Sequence, residues 1–414
     1  MTVRVLFERV VGEGERALGT RGQELPLAER RAWPGGFGDK IRGILPWLPA
    51  YCWQRITRAG SERKGQHLII ALADHFEPAI LPDSEGKRAE RSVQEQRLER
   101  WCREYPRAAA DWRDDDGQPF RHTYFYPAEQ YDAGLIDALA AHCHAGWGEI
   151  EVQLHHGVEA DDTPENTRHT LLRFTEALAE RGCLAHTEAT GLRQYAFVHG
   201  NFALANSMQG RFCGVDSEMQ ILADTGCYAD FTLPSAPNPS QIAKINVLYE
   251  CEPPLTRRSA HRWGQPLRSG HPPQNFPLII QGPLMLDFSR RRWPFPAIEN
   301  GALAGNNPPS MARLQLWRQA GITVQGCPDW VFIKLHCHGM DPRDDDAMLG
   351  EAMRRFLHEL KEGATRGREY KVHFVTAREM TNIALAASAG RCGNPGDYRD
   401  YRLQRIATGV GARS

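Results

Sequence analysis

The chain has no surplus of charge. Across 414 residues, 50 Lys+Arg stand against 51 Asp+Glu, for a formal net charge of −1. Without a basic field there is no global attraction for polyanions, so nucleic acid is not expected as a main partner. No run approaches the roughly 18 consecutive apolar residues of a membrane span, so no transmembrane segment is expected. The opening MTVRVLFERVVGEGERALG is interrupted by Arg4, Glu8 and Arg9 and does not read as a secretory signal. The 10 cysteines are dispersed without a Cys-x-x-Cys pair, which argues against a zinc finger or disulfide framework and makes a reducing cytoplasm the expected location. A Gly-rich phosphate loop and a nucleophile elbow are missing too. What remains is a globular composition, 41% hydrophobic and 24% charged, with 16 histidines as its one mild excess. Histidine is the commonest metal ligand and a frequent acid–base group, so the placing of those residues is the first question.

Strand-like runs rich in Val, Ile, Phe and Tyr fall at 67–73, 121–126, 149–155, 194–199, 227–233, 277–286, 330–336 and 371–376. Helical periodicity occupies 131–143, 164–181, 216–225, 310–320, 346–361 and 377–388. Strands alternating with helices predict right-handed βαβ units and a parallel sheet. That many units in one chain favours an α/β fold closed into a distorted barrel of seven or eight strands. The expected division is an N-terminal arm over 1–64, a barrel over 65–390 and a tail over 391–414. Residues 234–276, rich in proline and polar residues, are expected to be an ordered insertion near the site. Residues 40–60 combine Trp47, Trp53, Ile41, Ile44, Leu45 and Leu48 with basic residues. They admit a weak peripheral contact with a membrane surface, or the packing of an arm onto the barrel.

Histidines sit where several apolar runs end: Asp74-His75-Phe76-Glu77, His155-His156-Gly157, His199-Gly200-Asn201 and His336-Cys337-His338-Gly339. In a parallel barrel these strand ends converge on one rim, where barrel active sites are built. Alternate side chains of a strand point to opposite faces. Ile150, Val152 and Leu154 form one face of the third run, so His155 points inward with Glu149, Glu151 and Gln153. Likewise Lys334, His336 and His338 lie opposite Val331, Ile333 and Leu335. The first run is apolar on both faces, and parity leaves Asp74 and His75 undecided. A carboxylate and two imidazoles with an open position make a catalytic site for zinc or a similar divalent ion. Asp74 or Glu77 then suits a general base, and His336 or His338 a general acid.

In motif order these strand ends resemble the metal-dependent polysaccharide deacetylase (NodB-homology) superfamily, across roughly residues 65–385. ALADHFEP (71–78) stands where that family has an acidic pair of base and metal ligand, QLHHG (153–157) where it has two metal-binding histidines, and FIKLHCHG (332–339) where it has a catalytic histidine. FVHGNFALANS (197–207) and LADTGCYADFTLPSAP (222–237) resemble a branch associated with exopolysaccharide loci. Here the acidic pair is Asp74-His75 and the two histidines are adjacent. The resemblance therefore implies metal ligands drawn from Asp74, His75, His155, His156 and His199. It also implies removal of an acyl group, N-acetyl above all, from a saccharide or sugar intermediate. Two other functions fit the same residues: a metallo-hydrolase of another barrel family, such as an amidohydrolase or phosphoesterase, and a non-catalytic saccharide-binding barrel.

Overall fold

The computed structural model describes residues 37–58, 63–82, 87–158, 161–187, 192–292, 295–366 and 369–405. Its centre is a mostly parallel sheet of strands β1 (Gln66–His75), β2 (His122–Pro127), β3 (Gly148–Leu154), β4 (Arg193–His199), β5 (Cys227–Asp230), β6 (Leu278–Ile280), β7 (Trp330–Cys337) and β8 (Tyr370–Val375). The ladder runs β7-β1-β2-β3-β4-β5-β6, parallel throughout. Since β7 lies along His67 to Asp74 on one edge of β1, its other edge is shared by β8 at Gln66–Ala71 and β2 at Leu72–His75. Beyond β6 the Pro-rich insertion adds antiparallel strands at Leu248–Cys251 and Gly264–Pro266. The fold is thus mixed α/β.

Helices α1 (Leu48–Thr57), α2 (Arg91–Ala109), α3 (Ala133–His142), α4 (Pro164–Glu180), α5 (Glu218–Asp224), α6 (Met311–Gln319), α7 (Glu351–Arg366) and α8 (Ala377–Ser388) surround it. Their starts follow local chemistry. Thr163 accepts from Asn166 N at 3.2 Å with Pro164 opening α4, and Thr376 and Glu379 form a reciprocal capping box on α8. Helix α2, where the sequence predicts no element, buries Leu98, Trp101, Tyr105 and Ala109 at helical spacing. The Glu and Arg residues between them conceal that stripe.

Strand parity separates two cores. Leu68, Ile70 and Leu72 of β1, Ile150, Val152 and Leu154 of β3, and Val331, Ile333 and Leu335 of β7 pack under helices α2 to α7. On the opposite face Ile69, Ala71 and Ala73 meet Val198, Phe231, Phe332 and helix α8. Trp47 and Tyr51 of the N-terminal segment join this second core, and Gln54 Nε2 donates to Ile245 O at 2.8 Å.

Some boundaries differ from expectation. The run 277–286 leaves the sheet after Ile280 and re-forms as an antiparallel hairpin, Met285–Arg292 with Phe295–Glu299; Pro283, which lacks an N–H, lies in the break. The helix expected over 346–361 is divided at Gly350, whose extended backbone separates Asp345–Leu349 from α7. Residues 1–36 of the expected arm and 406–414 of the expected tail lie outside the described residues. No helix of the described residues is long and apolar enough to cross a membrane, and no disulfide joins the cysteines.

Candidate metal centre

The residues expected to form one ligand set are distributed over three places. The first lies at the ends of β1 and β7. His75 follows Ile69, Ala71 and Ala73 in parity, so its ring leaves the face covered by α2 to α7 and meets His338 at 5.0 Å between ring centroids, Phe202 at 6.0 Å and His336 at 6.4 Å. Glu77, two residues beyond β1, joins them. One ligand atom each from His75, Glu77 and His338 lies within 4.8 Å of the others.

Two further residues shape this group. Gln153 Nε2 donates to Glu77 Oε1. His155 Nδ1 donates to Glu129 Oε1 at 2.7 Å, and the His155 backbone N–H reaches Glu129 Oε2 at 3.3 Å. With its Nδ1 proton engaged by a carboxylate, the ring turns Nε2 toward Glu77 Oε1, 3.8 Å away. A carboxylate behind an imidazole in this way fixes the tautomer that leaves Nε2 a metal-binding lone pair. Close packing enforces the pose: a Cβ on Gly200 would lie 2.3 Å from the His155 ring. The side chains of Glu77 and His155 are 14% and 18% exposed, so the group reaches solvent.

The electrostatics keep the rings uncharged. Burial, and after it His338, His336 and Lys334, hold His75 well below its ordinary pKa, while burial with Lys334 and His338 does the same to His336. Both rings are therefore neutral, as ligands must be. Nδ1 of His75 and Nδ1 of His336 are buried with no hydrogen-bond partner. Beneath them Lys334 donates Nζ to Phe231 O at 2.7 Å; burial pushes the amine down to about 7 against the pull of Asp230.

Asp74, expected as base or ligand, belongs elsewhere. Its parity is that of Leu72, and it points under the helices, fully buried. Oδ2 pairs with His122 Nδ1 at 3.0 Å and Oδ1 accepts from Gly339 N at 2.7 Å. Cys337 completes this second cluster beneath Trp101 and Tyr105. It lies on the opposite face of β1 from His75, and one ligand atom each from Asp74, His122 and Cys337 lies within 4.8 Å of the others as a donor set apart from the first.

His156 and His199, also expected as ligands, form the third cluster, on the helix side with Glu218 at the start of α5. Their rings stack at 5.1 Å, and His156 Nε2 donates to Glu218 Oε1 at 2.6 Å. Burial disfavours charge on His156, yet Glu218 and then Asp162 outweigh it and raise its pKa above the ordinary value. Asn201 N donates to His199 Nδ1 at 3.2 Å, so in the neutral ring the proton sits on Nε2, the atom facing Glu218 at 3.9 Å. His156 is thus paired with Glu218, while burial holds His199 neutral with its Nε2 lacking a hydrogen-bond partner, and one ligand atom each from His156, His199 and Glu218 lies within 4.8 Å of the others, a second candidate donor set.

Sequence reasoning missed Glu129 and Gln153. Gln153 shares the parity of His155 and was visible on that ground. Glu129 lies in the turn after β2, where only its position past a strand end gives a signal. Of the expected acid pair, His338 joins the trio, and His336 stands on the same face outside it.

Comparison with protein-family models and with curated proteins gives no match.

Proposed function

We propose that the protein is a metal-dependent hydrolase that removes an acyl group, N-acetyl above all, from a saccharide or sugar intermediate, on a sheet curled into a distorted (β/α) barrel. The observation that carries this reading is the His75–Glu77–His338 trio, two imidazoles and a carboxylate with donor atoms within 4.8 Å of one another at the carboxyl ends of β1 and β7. Barrel closure is supported by the 2.7 Å bond from Lys334 Nζ on β7 to Phe231 O just past β5, although the ladder between those strands runs through β1, β2, β3 and β4. The saccharide rests on the motif order of 71–78, 153–157 and 332–339.

His75, Glu77 and His338 would hold the ion, and His155 Nε2, 3.8 Å from Glu77 Oε1, would join them as a fourth donor, with zinc favoured by the mixed nitrogen and oxygen donors. When bound, such an ion polarises a carbonyl and acidifies a water toward neutrality. The chain supplies the rest. Glu129 Oε1 holds the proton of His155 Nδ1, so that Nε2 stays presented toward Glu77. Gln153 fixes Glu77 by its amide. His336, on the same face with Nδ1 unpartnered, offers a position for the proton that leaves the attacking water and passes to the leaving group. Phe202, 6.0 Å from His75, offers an apolar wall on which a sugar face can rest.

A second reading, a metallo-hydrolase of another barrel family acting on phosphoesters or cyclic amides, is favoured by one departure. The carboxylate of the trio is Glu77 rather than Asp74 at the acidic-pair position. Metal analysis of the purified chain, with turnover of acetylated amino sugars, phosphoesters and cyclic amides measured in parallel, tests both. Bound divalent metal lost in His75→Ala and Glu77→Gln, with acetate release lost alongside, is the expected result. Metal-dependent turnover of a phosphoester or cyclic amide instead would transfer the proposal to the second reading. A folded protein that takes up no divalent ion on soaking would end both.

A further inference from the structure

A cleft of about 340 Å³ lies between helix α1 and the Pro-rich insertion, and it shares no lining residue with the metal centre. Trp53 and Trp263 line it and are 52% and 46% exposed. Ile245 contributes to its apolar wall. Arg58, Lys244 and Arg262 line it as well, and among the described residues no Asp or Glu does. Arg58 donates Nη1 to the carbonyls of Asn246, Ala320 and Gly321 at 3.1, 2.6 and 3.3 Å. Lys244 donates Nζ to Gly264 O at 2.8 Å and stands 4.3 Å over the Tyr249 ring. Among the described ion pairs neither Arg58 nor Lys244 meets a carboxylate. Burial lowers the pKa of both and brings the Lys244 amine down to about 8, so two cations are held in an apolar cleft by neutral dipoles. An anion is the complementary ligand.

The surface beside the cleft narrows the class. Ile56, three residues after Trp53 and so on the same side of α1, is 74% exposed, and Leu45 just before the helix is 59% exposed. Large apolar side chains gathered this way mark a contact surface. Tryptophans beside basic residues suit the boundary between water and an anionic lipid layer.

We propose that the cleft and the surface beside it bind an anionic phospholipid at a membrane surface. Its phosphate faces Arg58 and Lys244, its apolar part lies along Ile245 between Trp53 and Trp263, and Leu45 and Ile56 enter the interfacial layer. The contact is peripheral and reversible. It depends on neither the metal nor the hydrolytic reading.

Co-sedimentation of the full chain with vesicles of phosphatidylcholine alone, or with phosphatidylglycerol added, tests the proposal. Expected are binding to the phosphatidylglycerol vesicles, a blue-shifted tryptophan emission on binding, and little binding to phosphatidylcholine alone. Ile56→Ser or Trp53→Ser should weaken the binding about tenfold or more, the scale of losing one large buried apolar side chain. Lys244→Gln should remove the preference for the anionic lipid. Because Ile56 is largely exposed, an unchanged thermal melt of Ile56→Ser separates lost contact from lost fold. No binding to either vesicle would overturn the proposal. So would binding that survives both serine variants, or uptake of a free fatty acid without vesicle binding.

Discussion

The replacement Glu129→Gln isolates what the carboxylate behind His155 does. Glu129 is 4% exposed and accepts from His155 twice, at Nδ1 (2.7 Å) and at the backbone N–H (3.3 Å). A glutamine has nearly the same shape, and its single amide oxygen can still accept the Nδ1 proton, so the ring should keep its pose while the weaker 3.3 Å bond from the His155 backbone N–H is lost to the amide NH2. What goes besides is the charge. A hydrogen bond to an ionised acceptor is roughly twice as strong as a neutral one, so the loss should be about 1–2 kcal/mol. In Nε2 presentation and ligand basicity this corresponds to a fall in divalent-metal affinity of about tenfold, within the range of about 10–100-fold for outer groups that orient metal-site histidines. Competition against a chromophoric chelator measures it, with a thermal melt to verify that the chain is folded. Glu129→Leu, which removes the acceptor as well, should lose more. The reasoning is refuted if both variants are folded and keep their zinc affinity within twofold. It is equally refuted if Glu129→Gln abolishes binding as completely as His75→Ala does.

Other perturbations separate the three clusters. Asp74→Asn should destabilise the fold by about 1–3 kcal/mol in chemical denaturation, because it disturbs a fully buried acceptor of Gly339 N and partner of His122, while leaving metal affinity near that of the parent. A loss of metal binding without loss of stability would return Asp74 to the site. Gly200→Ala should do the reverse: the added Cβ, 2.3 Å from the His155 ring, displaces that ring and lowers affinity and turnover, readable by the same chelator competition. Stability should also respond to acid through Glu149. Burial alone would push its carboxyl up, but Arg378, with Arg405, outweighs that and holds it down at about 2. A depressed folded value means the stabilisation is complete above the ordinary carboxylate range and is lost as pH falls from about 4.5 toward 2. Denaturation midpoints measured across that window should fall, and Glu149→Gln, less stable at neutral pH, should flatten the dependence.

The alternation of apolar strands with amphipathic helices was legible because each strand carries its own β-branched and aromatic run and each helix its own period. So was the clustering of histidines past strand ends, and the inward sense of His155 and of His336 with His338, since β3 and β7 each carry a polar face. Helix α2 was hidden by charge, and the run at 277–286 gave no sign that it would change from parallel ladder to antiparallel hairpin.

What the sequence by itself determined is therefore the mixed α/β order of elements and the short list of histidines and carboxylates from which a site can be built. Which of them share a site was decided by tertiary structure alone. β1 is buried on both faces, so its apolar pattern carries no parity, and only packing turns Asp74 under the helices and His75 away from them. His156 and His199 leave the expected group because Glu218, 62 residues after His156, reaches them from the start of α5. Glu129 enters because a turn after β2 is carried beside the end of β3. Residue types are local facts. The separation of His75 from Asp74 depends on which face of the sheet each side chain meets, and that is fixed only when helices α2 to α7 pack on one of them.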